Sequence, residues 1–267
     1  MTTENATQQH DEGAVLLDQR GPIATITLAR PAALNALTWA MYQQMEAHLE
    51  RLAADDTTRA IILRGAGKAF AAGTDIQQFQ GFTGESGIAY EHKMETIVER
   101  LYSITKPTIA AIDGYAVGAG LVIASVCDLR YATPASRIGV PIARTLGNCI
   151  TLKNYRHLVD SCGAMRTKEM LFTGRLLTAT DALQCGFLTA IVDEGRLMTE
   201  VTEEIAQQIS SLAPLTMWSV KEAQRRLNAA EEAIDFDDVV ARIYGSSDFA
   251  EGVQAYLGKR KPHWRGL

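Results

Sequence analysis

Two hydrophobic periods alternate along this chain. "AVLLDQRGPIATITLAR" alternates apolar and polar positions and predicts two strands joined around Arg20 and Gly21, a hairpin. Met41, Met45, Leu49 and Leu52 then recur at helical spacing behind Thr38, whose hydroxyl can cap a helix. The run at 60–63 is short and wholly apolar, the mark of a buried strand, and Thr74 or Asp75 can start a helix over 75–79. An irregular stretch, "FQGFTGESG", leads into a helix with Ile97, Val98 and Leu101 on one side. Lys106-Pro107 marks a break before a second buried strand, "TIAAIDG", a small-residue helix in "YAVGAGLVIASVC" and a strand-like "DLRYAT". From about Arg196 the pattern is helical, its last helix starting near Phe236.

Strand, tight glycine turn and helix therefore recur, over 61–75 and again over 109–124, as a repeated unit stacked on itself would require. The architecture predicted is an α/β core with a helical C-terminal region. Its boundaries fall at 1–12 for a disordered N-terminus, 13–195 for the core and 196–267 for the helices.

Composition narrows the function classes. Of 267 residues, 47% are hydrophobic and 21% charged, ordinary for a globular protein, and the net charge of −5 with no basic stripe argues against nucleic acid. The longest apolar run, "GYAVGAGLVIASVC", is shorter than the ~20 residues a membrane span needs. "MTTENATQQHDEG" is polar and has no secretory h-region, so a cytoplasmic location with free thiols at Cys127, Cys149, Cys162 and Cys185 is expected. No Cys/His pattern calls for a metal. "GAGKAF" is not a phosphate loop, Ile123 stands where a dinucleotide loop needs its third glycine, and no G-x-S-x-G elbow occurs.

The two glycine turns carry the candidate chemistry. Each presents backbone N–H groups at a helix start, where they lack intrahelical acceptors and sit at the positive end of the dipole. Two such groups aimed at one point would hold a carbonyl oxygen that becomes negative during reaction. Tight packing alone is the other reading of the same small residues, and on the turns by themselves both stay open.

"ITLARPAALNAL", "KAFAAGTDI", "KPTIAAIDGYAVGAG" and "CDLRYATPASRIGVP", in this order and spacing, resemble the crotonase superfamily, also called the enoyl-CoA hydratase/isomerase family. So do "EMLFTGRLLTATDALQCGFLTAIVD" and the closing "EGVQAYLGKRKPHW". The resemblance implies a spiral of strand-strand-helix units followed by trimerising C-terminal helices, assembled as a homotrimer or a hexamer. It implies a coenzyme A thioester as ligand, with coenzyme A arriving as part of the substrate and no permanently bound cofactor. The thioester oxygen would lie between the backbone amides of Thr74 and Ala119, with the adenine near Ala72 and the "AAGTD" segment, including Asp75 and Ile76, against the bent CoA. Lys259 and Lys261 lie in the tail that can reach CoA phosphate in relatives. Many members carry a lysine where this chain has Ala32-Ala33, which would leave more of the CoA affinity to Arg30 and the tail.

Hydratases of the family use two glutamates, and neither is here. The position three residues after the second oxyanion amide is Val122, and "GVPI" puts Ile142 where a Gly-x-Pro-Glu run would end. Aliphatic side chains exchange no protons, and one lost general acid or base costs about 10²–10⁴ in rate, so efficient hydration by the usual route is not expected. The following segment, "ARTLGNCITLKNYRHL", forms the wall opposite the thioester in relatives and offers Arg144, Asn148 and Cys149 to the acyl pocket. Cys149, expected at a helix start, would be a nucleophile if ionised or a small buried apolar residue if not. His157 reads as a surface histidine, and Glu85, Tyr90, Glu91 and His92 as either a source of a general base or a solvated helix face, the second being the ordinary case. Asp75 reads as a helix cap. Three readings remain: an acyl-CoA enzyme working through oxyanion stabilisation, a thioesterase or retro-Claisen hydrolase using Cys149 or a base from 85–92, and a silent acyl-CoA-binding protein.

Overall fold

The computed structural model describes residues 12–229 and 236–266, so the expectation for the N-terminal segment lies almost wholly outside the described residues. The hairpin forms as β1 (Ala14–Arg20) and β2 (Ile23–Ala29), which pair antiparallel from Ala14 opposite Ala29 to Arg20 opposite Ile23. Helix α1 (Trp39–Ala54) starts where Thr38 Oγ1 accepts from the Met41 N–H at 3.2 Å, and it buries Met41, Met45, Leu49 and Leu52.

The strand-turn-helix unit occurs three times, one more than the sequence pattern shows. Strand β3 (Ala60–Gly65) is followed by β4 (Ala69–Ala71), a short 3-10 turn over Ile76–Phe79 and helix α2 (Gly84–Ser103). Strands β5 (Thr108–Ile112) and β6 (Tyr115–Val117) lead into α3 (Ala119–Ser125). Strands β7 (Leu129–Ala132) and β8 (Arg137–Gly139) lead into α4 (Ile142–Thr145) and α5 (Leu152–Thr173), which breaks at Gly163. The helix expected over 75–79 is thus only the 3-10 turn, with the long helix starting at Gly84. The first strand of each unit joins a six-stranded sheet and the second a four-stranded one, so each turn of chain steps from one sheet to the other. Strand β9 (Leu177–Thr178) closes the smaller sheet, α6 (Ala179–Gln184) follows, and β10 (Ala190–Ile191) closes the larger one beside β7.

The C-terminal helices are not a separate layer. Helix α7 (Met198–Ser210) packs Met198, Ala206 and Ile209 against Ile62, Ile109 and Tyr131 of the large sheet, covering its second face. Both faces of the parallel strands are therefore buried, which accounts for their unbroken apolar runs. Helix α8 (Pro214–Ala229) lies outside this core, with Leu215, Val220 and Leu227 each more than 60% exposed. The single last helix expected divides at Gly245 into α9 (Asp237–Tyr244), seated on α2, and α10 (Ser247–Leu257).

Candidate active site

The turn after β4 is held from both sides. Asn35, buried and left-handed at φ 57, accepts from the Arg30 N–H at 2.9 Å and donates to the carbonyls of Ala66 (2.9 Å) and Ala69 (2.7 Å). That fixes the 34–37 segment beside the turn. The Ala72 N–H then donates to Leu34 O, Leu37 N–H to Gly73 O and Asp75 N–H to Leu37 O, at 3.0, 2.8 and 2.9 Å. This parallel bridge uses the groups flanking Thr74, so Thr74's own N–H turns the other way. Asp75 caps the 3-10 turn through the Gln77 N–H, as expected, and also pairs with Arg30 Nη1 at 2.8 Å.

The second turn is anchored by Gly118, whose N–H donates to Gly139 O at 2.9 Å and whose φ of 56 turns the chain from β6 into α3. Gly120 decides how near the turns come. A Cβ there would lie 2.3 Å from Ala71 O, so only glycine lets α3 lie against β4. Gly73 and Gly118 then meet: a Cβ on Gly73 would stand 3.9 Å from the Ala119 nitrogen. Among the described residues, neither the Thr74 nor the Ala119 N–H donates to a carbonyl. Both residues border a cavity of about 180 Å³, with Ala72, Ile76 and Asn148 also on its wall. The Thr74 hydroxyl bridges Tyr42 OH (2.6 Å) and Tyr90 OH (2.8 Å), which pins the turn to α1 and α2.

Beyond Ala119 a narrower cavity of about 50 Å³ continues between Val122, Ile142, Asn148, Cys149 and Glu91. Val122 is buried and Ile142 partly so, a dry aliphatic wall. Asn148 Oδ1 and Asn154 Oδ1 are buried there without partners among the described residues. Cys149 does not start a helix: α5 begins at Leu152 behind Thr151. Burial and the nearby Glu91 push its thiol up to about 12, which, of the two readings of Cys149, favours the small buried residue.

Glu91 is the residue the pattern misplaced. It is 5% exposed, not on a wet face, and its Oε1 accepts from the Tyr244 hydroxyl at 2.5 Å. Burial drives its carboxyl up to about 8, with Tyr244 opposing and Glu95 adding to the shift. A signal was present in the sequence: Glu91, Met94, Val98 and Leu101 share one helical stripe, and the stripe is buried throughout. Tyr90 is buried beside it, whereas Glu85 and His92 are exposed, His92 pairing with Asp237 at 2.8 Å.

Other expectations are placed differently. Arg144 is exposed and leans over Gly174 at the end of α5, bordering neither cavity, because α4 turns its side chain outward. Arg30 is buried against Asp75 and braces the first turn. His157 is buried, not superficial, with Nε2 2.9 Å from Glu99 Oε1. Lys259 and Lys261 are exposed on a tail folded back by Arg260 and His263 onto Glu251. Among the described residues, no helix is long and apolar enough to cross a membrane and no cluster of acidic, His or Cys side chains could hold a metal ion.

Comparison with known proteins agrees with this fold. The family model described as enoyl-CoA hydratase/isomerase matches residues 18–266. A probable mitochondrial enoyl-CoA hydratase of Dictyostelium discoideum is 32% identical over 253 residues, covering 92% of this chain and 89% of that protein. The crystal structure of an enoyl-CoA hydratase/carnithine racemase from Magnetospirillum magneticum is 31% identical with a TM-score of 0.77, covering 95% of this chain and 96% of that one. Methylmalonyl-CoA decarboxylase in complex with 2-nitronate-propionyl-CoA is 27% identical with a TM-score of 0.85, covering 95% and 98%. The spiral of three strand-strand-helix units, the paired glycine turns and these matches together identify the chain as a member of the enoyl-CoA hydratase/isomerase family, the crotonase superfamily.

Proposed function

We propose that the protein binds a CoA thioester with its carbonyl oxygen between the N–H groups of Thr74 and Ala119 and stabilises the enolate or oxyanion that develops there. One observation carries this reading: the Thr74 N–H, just before the 3-10 turn, and the Ala119 N–H, at the start of α3, border one cavity without carbonyl acceptors among the described residues. Each such donor in a dry site is worth about 3 kcal/mol to a developing oxyanion. The related decarboxylase is in complex with 2-nitronate-propionyl-CoA, a CoA thioester of a short acyl group, which supports a short acyl-CoA as the ligand here. Ala72, Asp75 and Ile76 are the proposed wall for the CoA arm, with Lys259 and Lys261 for its phosphates. The protein is proposed to act as a homotrimer or hexamer, the apolar surface of α8 being the support for self-association.

Val122 and Ile142 put aliphatic side chains at the two positions where the resemblance expects the hydratase glutamates, so standard hydration is proposed to be inefficient. Mass-resolved turnover of a small acyl-CoA panel tests both parts. Binding of CoA thioesters with crotonyl-CoA left largely unhydrated is expected. Failure to bind any CoA thioester would overturn the reading, and rapid formation of the 3-hydroxy product would overturn its second half.

A further inference from the structure

The cavity beyond Ala119 holds one group able to move a proton near neutral pH. Val122 and Ile142 cannot, Cys149 is held as a thiol, and the Tyr90 hydroxyl is bound to Thr74 with its ionisation opposed by burial. Glu91 remains. Its Oε1 is taken by the Tyr244 hydroxyl, while its Oε2 has no hydrogen-bond partner among the described residues. On its other side Glu91 borders a second cavity of about 150 Å³, with His92, Glu95, Lys153 and Asp237, through which its proton can equilibrate with solvent.

We propose that Glu91 is the catalytic base and acid of this site, taking a proton from the carbon next to the thioester carbonyl of a short acyl-CoA and returning it. The inference rests on the placement of that carbonyl between Thr74 and Ala119. In the forward step the α C–H bond breaks and its proton goes to Oε2. The electron pair forms a C=C bond to the carbonyl carbon, and the C=O π pair moves onto oxygen as the enolate. The return step reverses each change, so no co-reactant is needed. The narrow cavity limits the acyl group to a short chain.

The ionised form is the base. Groups facing Glu91 are Tyr244 from α9, Glu95 from α2 itself, Cys149 from the segment before α5, and Tyr90 and Tyr42, whose ionisation Glu91 opposes, with His92, Lys153 of α5 and Asp237 of α9 around the second cavity. Of these only Tyr244 donates to the carboxylate and pulls its proton affinity down. Exchange should therefore rise with pH to a plateau, with a midpoint near 8.

The test is α-hydrogen exchange of butyryl-CoA in D2O, read by mass, beside direct measurement of butyryl-CoA binding. Wild type should bind and exchange. Glu91→Gln should bind with a Kd within about threefold while exchange falls about 10²–10⁴-fold. Tyr244→Phe should move the midpoint upward, which a purely structural tyrosine would not do; this arm and the wild-type profile serve if Glu91→Gln does not fold. Undiminished exchange in Glu91→Gln, an unshifted profile in Tyr244→Phe, or a wild type that binds but never exchanges would each overturn the proposal while leaving the CoA reading standing. Absence of binding by the wild type would overturn both.

Discussion

The hydroxyl of Tyr244 donates to Oε1 of Glu91 at 2.5 Å, across 153 residues of sequence and inside the protein. Two glycines permit it. A Cβ on Gly84 would stand 2.5 Å from Ala241 O, and one on Gly87 would lie 2.2 Å from Tyr244 Cγ. Helix α9 can thus lie close on α2, and the Tyr244 ring covers Gly87 one turn before Glu91. Phe79, Phe82, Tyr90 and Phe249 surround the Tyr244 ring at 4.7–6.4 Å between centroids, so the carboxyl sits against an aromatic wall.

That burial ties stability to pH. The carboxyl binds its proton more tightly in the folded state, so the stabilisation from protonation is fully present below about pH 4.5 and is lost as pH rises through about 8. Glu91→Gln keeps an acceptor for Tyr244 and never ionises. Its unfolding free energy should overtake that of wild type increasingly between pH 5 and 8, by an amount on the order of 3–5 kcal/mol at the upper end. Parallel pH curves for the two proteins would refute the raised proton affinity.

Gly87→Ala forces the new methyl into the Tyr244 ring. Overpacking of this kind costs about 1–3 kcal/mol, and the displaced hydroxyl would leave Glu91 with a still higher proton affinity. A lower melting temperature together with an upward-shifted pH dependence is expected. A change in stability alone would show that the ring relaxes without moving its hydroxyl.

Cys149 should be dispensable. With its thiol pushed up to about 12, it carries almost no thiolate at neutral pH. Cys149→Ala is expected to retain turnover of any accepted thioester within a few-fold, and alkylation of Cys149 by iodoacetamide at pH 7 should be slow. An acyl adduct on Cys149 seen by intact mass would restore covalent hydrolysis as the chemistry.

Gly120→Ala should separate the two turns. Its Cβ cannot stay 2.3 Å from Ala71 O, so α3 must move from β4 and carry the Ala119 N–H away from Thr74. A loss of about 2–4 kcal/mol in stability is expected for so tight a backbone contact, with thioester binding weakened at least tenfold in calorimetry. Unchanged affinity would show that the pair of amides does not set the site.

Local chemistry made much of this protein readable along the chain. The apolar runs of β3 and β5, the cap at Thr38 and the glycines at 73 and 118 each express a rule acting within a few residues. The number of repeated units was less legible, because β7 and β8 are four and three residues long and declare themselves only by pairing. The state of Glu91 was decided elsewhere. A carboxylate among charged neighbours on a helix reads as solvated, and only the arrival of α9, with Tyr244 as lid and donor, removes it from water. His157 was buried in the same way by a partner 58 residues before it, and Arg144 was turned outward by the direction of a four-residue helix. Helical and strand periods follow from the backbone alone, but the environment of a titratable side chain follows from which distant element covers it.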